Sequence, residues 1–484
     1  MSKVIEQPTR PFIPYSLCIL LFVCVWLHVF IARNATLDTI LLQILGSCMA
    51  VALGLWYVKY AHTSLMTVGT VSLLLVIIFI RSSFIYASQM ASVNLLESTA
   101  IHDFELVVSR DLVYKNHAWT GQANVMYQGR CIGSVGLHAK EPFLRETHLC
   151  CEGRFTHYKD KEFSEEQFKR GVLGSIQITK VNSKTYGEGI IGEVAQFREN
   201  CISQLQPEQS FGRALVACGL CAYRPSLYSF NIPRIFMRCG LMHLIAISSC
   251  HMVILSVFID AFLKKLTIKP LLRGVVNLFL LSSYALFCGL PASAMRAILL
   301  VEQKYVMQYV GRKNHTLSAV SIVALFMLCI DPQLSVNIAF TLSLACIFGM
   351  NIYGGLAQYY AKIAFHISGY GKIQKILRKP FSDVRNTMCA TTVAQLSCLP
   401  ISCMYFGHFS LLAPLSSALI TSLFSLLSLF GIGAIALCWF KPAQDVAFCL
   451  VDFLGQFIET LTSFLSERSF ASVSLTDMSW IVSL

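Results

Sequence analysis

His243 and His251 stand eight residues apart in the apolar run MHLIAISSCHMVILS, with Ser248 between them. On a helix that separation is about 12 Å along the axis and roughly 80° around it, so a straight helix cannot offer both imidazoles to one metal ion. Ser248 and His251, three apart, share a face. A second polar group lies in GLPASAMRAILLVE (289–302), where Ser293 and Arg296 follow a Gly–Leu–Pro break. A guanidinium in so apolar a setting must face protein, water or an anion, and the start of a helix offers free N–H groups that suit an anion. A third lies in TTVAQLSCLPISCMYFGHFS (391–410), where Gln395 and Pro400 interrupt an apolar run and proline frees a carbonyl for another partner. The first group alone also fits a helix-packing contact, and Arg296 alone fits a side chain snorkelling near a bilayer face. Several broken, polar helices in one chain point to an internal hydrated path. No paired carboxylate or nucleophile elbow accompanies the histidines, so no enzymatic activity is expected.

The elements that must carry these residues are membrane helices. Of the 484 residues, 55% are hydrophobic and only 13% charged, against about 25% charged in a soluble domain; mean hydropathy is +0.62. Runs approaching the roughly 20 apolar residues needed to cross a bilayer recur along the chain. Early spans are read at 12–31, 37–58 and 65–80. The first has no small-residue cleavage site, and a second apolar run follows at once, so it reads as a retained span and not a signal peptide. Later spans are read near 242–262, 275–290, 292–309, 316–330, 335–352, 388–404 and 411–440. Residues 207–240 read as interfacial or re-entrant helices. The helix at 444–465, with Asp445, Asp452 and Glu459, either crosses or lies on the bundle.

Between the two helical parts the chain changes character. The segments 103–109, 118–127, 131–139 and 175–181 alternate polar and apolar residues and are bounded by Gly and Asn, as short β-strands are. About five strands in this stretch predict a small barrel or sandwich. Residues 189–206 then place Ile190, Val194, Phe197, Cys201 and Leu205 at helical spacing, an amphipathic helix leading back to the membrane. The fold expected is a polytopic α-helical membrane protein of about 10–11 spans with an inserted extracytoplasmic β-rich, OB-like domain. The divisions are 1–91, 92–206 and 207–484.

Charge sets the orientation. Three loops are basic: Lys264, Lys265, Lys269 and Arg273; Arg312 and Lys313; and a third from Lys362 to Arg385. They fall on one side of the counted spans, which the positive-inside rule places in the cytoplasm together with the amino terminus, leaving the β domain outside. The net charge is +12. Acids slightly outnumber bases between 92 and 210, so the basic excess belongs to the membrane half; it is first a topology signal and second a sign of anionic cargo. Of the 19 cysteines, most lie in apolar runs as small hydrophobes. Cys218 and Cys221 form a lone CxxC without nearby partners, so no metal site or cofactor is expected. Outside, Cys131, Cys150, Cys151 and Cys201 leave disulfide pairing open, free thiols fitting equally well.

At this point the residues match a known pattern. IFMRCGLMHLIAISSCHM (235–252) resembles a segment of the ComEC-type competence proteins through Phe236, Arg238, Gly240, His243, Leu244, Ala246, Ile247, Ser248 and His251. LPASAMRA (290–297) resembles the family's Pro-Ser-x-x-Arg-Ala. The segment 331–350 is similar through Asp331, Pro332, Leu342 and Ser343, with Thr341 where Gln is usual. The stretch 394–415 is similar through Gln395, Pro400, Phe406, Gly407 and Ser410. The four blocks keep the family's order over about 200–440. Ser249–Cys250 replace its Gly–Leu, and Ser417 and Ser422 its Asn and Pro. The resemblance implies a channel for uptake of single-stranded DNA across the cytoplasmic (inner) membrane in natural transformation. Its expected path residues are Arg238, His243, Ser248, His251, Ser293, Arg296 and Gln395. The lipid bilayer, a DNA receptor and a cytoplasmic helicase or single-strand-binding protein are its implied partners. The metallo-β-lactamase-like domain of many members has no counterpart motif here, so a short form served by a separate nuclease is expected. The alternative is a transporter of another anionic solute on the same scaffold.

Overall fold

In a computed structural model of the chain, the residues described are 65–98, 103–115, 118–156, 167–168, 171–187, 189–245, 249–311, 316–364, 372–406, 408–437, 439–468 and 472–474. The expected spans at 12–31 and 37–58, and Ser248, lie outside them.

Helix α1 (Leu65–Ser98) enters a five-stranded domain: β1 (Asp103–Lys115), β2 (Ala118–Tyr127), β3 (Arg130–Ala139), β4 (Thr147–Thr156) and β5 (Val172–Tyr186). The strands close into a barrel in the order β1-β2-β3-β5-β4, with β4 returning to β1. Only the β3–β5 seam is parallel. Strand β1 serves two partners, β4 along 103–107 and β2 from 105 to 115, and register shifts after Val108 and Arg110 bend it between them. Leu106, Val108, Val125, Val135, Leu137, Leu149 and Ile176 fill the interior. Their alternation with exposed positions is the period-2 pattern the sequence carried. The end of α1 joins this core through Val93 and Leu96, and the Ser92 hydroxyl donates to the Ile132 carbonyl at 3.2 Å. The expected OB-like domain is therefore a closed barrel inserted between helical regions.

After the barrel come α2 (Gly189–Leu205), α3 (Phe211–Cys221), α4 (Pro225–Ser229), α5 (Ile232–Cys239), α6 (Met242–Ile245), α7 (Ser249–Lys265), α8 (Pro270–Cys288), α9 (Ala292–Tyr309), α10 (Thr316–Ile330), a 3-10 turn (Pro332–Val336), α11 (Ile338–Ala364), α12 (Lys372–Phe406), β6 (His408–Ser410), α13 (Ala413–Ala436), α14 (Lys441–Ser466) and β7 (Ser472–Ser474). Among the described residues, α8, α11 over Ile338–Ile363, α13 and α14 are long and apolar enough to cross a membrane. The protein is a multi-pass membrane protein. The helix left open at 444–465 has the length and hydropathy of a span, and the described residues of the run read as a span at 242–262 are helical, in α6 and α7. The basic loop after α7 is partly neutralised from within the helices: Asp260 pairs with Lys264 at 2.6 Å and Arg273 at 2.9 Å.

Three apolar centres hold the helical part together. One gathers α2, α3, α5, α13 and α14; a second α1, α10 and α11; a third α7, α8 and α9. Helix α9 is shared, giving Ala294, Ala297 and Ile298 to the third centre and packing Met295, Leu299 and Leu300 against the second.

Barrel and helices are joined by charge. Arg198 of α2, 3% exposed, reaches both carboxylate oxygens of Asp111 in β1, through Nη1 at 3.0 Å and Nη2 at 2.5 Å, and donates from Nε to the Cys221 carbonyl at 2.7 Å. Asp111 also accepts the Arg145 backbone N–H at 3.0 Å. The Arg145 guanidinium in turn donates to the Leu286 and Phe287 carbonyls, where α8 ends and a cation is favoured. Cys131, Cys150, Cys151 and Cys201 are free thiols.

Candidate functional site

Helix α5 ends at Gly240, whose left-handed backbone (φ +72°) only glycine adopts freely. A side chain there would also strike α13, since a Cβ would lie 2.3 Å from that of Ala413. This close approach lets α13 and β6 take up the carbonyls that the end of α5 leaves over. The Ser410 hydroxyl donates to the Arg238 carbonyl at 2.8 Å, and the Ser416 hydroxyl to the Cys239 carbonyl at 2.6 Å. The Ser410 carbonyl accepts the Gln395 amide of α12 at 3.2 Å, and the Cys239 thiol donates to the Thr462 carbonyl of α14 at 3.4 Å. Four helices and β6 meet in this node. Through Ser410 the Gln395 amide is linked to the backbone carbonyl of Arg238, not to its guanidinium. His243, on α6 just past the node, has an exposed side chain beside the Gly240 backbone.

Arg296 lies on α9 between two apolar centres and is 1% exposed. Its charge is within electrostatic reach of Cys346 on α11, whose thiol lies beside that of Cys398 on α12. Cys398 donates to the Leu342 carbonyl at 3.3 Å. Because Gln395 and Cys398 are three apart on α12, they share a face. The Arg296 seam and the Ser410 node are thus one helical turn apart along α12. Ser293, half-buried, precedes Arg296 by three on α9. His251 lies in the first turn of α7, but its side chain lies outside the described residues, as Ser248 does altogether. The CxxC thiols are core groups: Cys218 and Cys221 are both buried, and Cys218 donates to the Ile245 carbonyl at 3.0 Å.

A further polar surface of the helical part lies elsewhere. A cavity of about 810 Å³ opens between α14 and the corner joining α2 to α3. Gly212 and Gly455 let the helices touch there: a Cβ on Gly455 would lie 2.3 Å from the Gly212 Cα. Arg213 grips Asp452 with two hydrogen bonds, 3.0 and 2.8 Å, donates to the Gln209 side chain at 2.8 Å, and lies 4.3 Å over the Phe448 ring. Asp452 is near the middle of α14, so the corner is level with the middle of that candidate span. None of the sequence-nominated path residues lines this cavity. Two signals in the sequence could have found it: the acids Asp445 and Asp452 spaced seven apart on α14, and the glutamine-rich QLQPEQS at 204–210. Glu302 on α9 was also passed over; one of its carboxylate oxygens is buried with no hydrogen-bond partner among the described residues.

No curated protein and no solved structure is significantly similar to the chain. A protein-family model described as Competence protein matches residues 226–484, taking in α5 to α14, the Ser410 node and the Arg296 seam. That is more than half of the sequence, and the chain belongs to the competence protein family.

Proposed function

We propose that the protein is a conduit that passes single-stranded DNA across the cytoplasmic membrane during natural transformation. The family match over 226–484 carries this reading. Polar groups where the helices meet support it: the buried Arg296, the Gln395 amide at the Ser410 node, and His243 beside that node. Arg238, His243, Ser248, His251, Ser293, Arg296 and Gln395 line or brace the path. The barrel lies outside and the basic loops inside, where Lys and Arg accumulate. The protein acts as a passage, not as an enzyme; a receptor outside, a helicase or single-strand-binding protein inside and a separate nuclease complete the pathway.

The test is transformation frequency in cells carrying Arg238→Ala or Arg296→Ala, with the protein quantified in the membrane. Loss of transformation at normal protein levels supports the conduit. Normal transformation in cells lacking the protein overturns it.

A further inference from the structure

We infer that the cavity between α14 and the α2–α3 corner is a binding site for nucleobases, not for phosphates. The inference rests on the conduit reading and specifies which part of the strand this site holds.

Charge excludes the backbone. Arg213 is the one base in the lining, and it is already clamped by Asp452 and Gln209. Asp445 adds a second carboxylate, so the lining is net negative. A phosphate would meet repulsion there, and no free cation would offset it.

What remains is amide chemistry. Five glutamines line the cavity. Gln444 donates to the Ala434 carbonyl and Gln209 accepts from Arg213. Gln204, Gln206 and Gln456 are exposed, and each amide offers both donors and an acceptor to a molecule lying in the cavity. The Phe453 ring stands 66% exposed on the same stripe of α14. A flat, uncharged ligand that hydrogen-bonds along its edge and stacks on its face answers this set. A nucleobase is such a ligand: Gln pairs with adenine in two bonds, Asp accepts from the amino group of cytosine, and aromatic rings stack on any base. The volume falls within the range of small-ligand sites. Because an amide can turn either edge to its partner, the site tolerates changing sequence.

Cys449 lines the cavity and is exposed, which supplies a native reporter. The full-length protein in lipid nanodiscs is treated with a water-soluble maleimide, and labelling of Cys449 is followed by mass spectrometry. The probes are oligodeoxyadenylate, an abasic oligomer of equal length and inorganic phosphate. Oligodeoxyadenylate is expected to slow labelling, while the abasic oligomer and phosphate leave it unchanged. Gln456→Leu is expected to raise the oligodeoxyadenylate concentration needed by about tenfold. Equal protection by the abasic oligomer overturns the inference, as does labelling that no probe slows or a Cys449 that water-borne reagent never reaches. The conduit reading fails separately, on normal DNA import by cells lacking the protein; protection of Cys449 would stand beside that result.

Discussion

Ser416 is a single hydroxyl holding two helices in place. It is fully buried, and its hydroxyl donates its one proton most closely to the Cys239 carbonyl, with the Leu412 carbonyl farther off at 3.0 Å. Ser416→Ala leaves that carbonyl buried without the hydroxyl, which should cost about 1–3 kcal/mol and lower the thermal midpoint of the detergent-solubilised protein. In the barrel, adjacent thiols differ by the faces of β4 they occupy. Burial pushes the Cys151 thiol up to about 12, with Cys150 and Asp103 adding to the effect, while Cys150 is exposed. The reactive thiolate of Cys151 is therefore scarce at any pH well below that value. Alkylation of the native protein at neutral pH should mark Cys150 and spare Cys151 until the barrel unfolds. At this scale the sequence was informative about which residues are unusual, less so about what they touch. Gln395 was nominated because it interrupts an apolar run, but its partner, the Ser410 carbonyl, is fifteen residues away across a turn. No local spacing encodes that pairing.

At the scale of elements, the barrel is held to the helices by a buried charge pair and by Arg145 at the end of α8. Arg198 and Asp111 are almost wholly removed from solvent, so Asp111→Asn should leave the Arg198 charge without its countercharge. Removing one partner of such a pair costs about 3–5 kcal/mol, and limited proteolysis between barrel and helices should accelerate accordingly. Substitution of both residues by apolar ones should recover part of the loss. Helices with sharp punctuation were legible: Pro291 opens α9 at Ala292, and α10 runs over the 316–330 expected for it. Helix α12 was read only over its apolar half, because its first turns, Lys372 onward, are basic and carry no membrane-length periodicity. Strand β4 was not singled out, since Cys150–Cys151 and Gly153 blur its alternation even though its side chains do alternate between faces.

Across the whole molecule, hydropathy and strand patterning sufficed for a membrane protein with an inserted barrel, because both follow from where apolar side chains can go. The polar cavity beside α14 was less legible, since its two walls are more than two hundred residues apart in the chain. Its placement level with the middle of a candidate span fits a hydrated route through the helical part. The most direct test of that route is import of labelled single-stranded DNA into the cytoplasm, compared among wild-type cells, cells lacking the protein, and cells producing Arg296→Ala at wild-type levels. The conduit account predicts cytoplasmic label in the first only, with DNA retained outside in the other two. Equal cytoplasmic label in wild-type cells and in cells lacking the protein would contradict it.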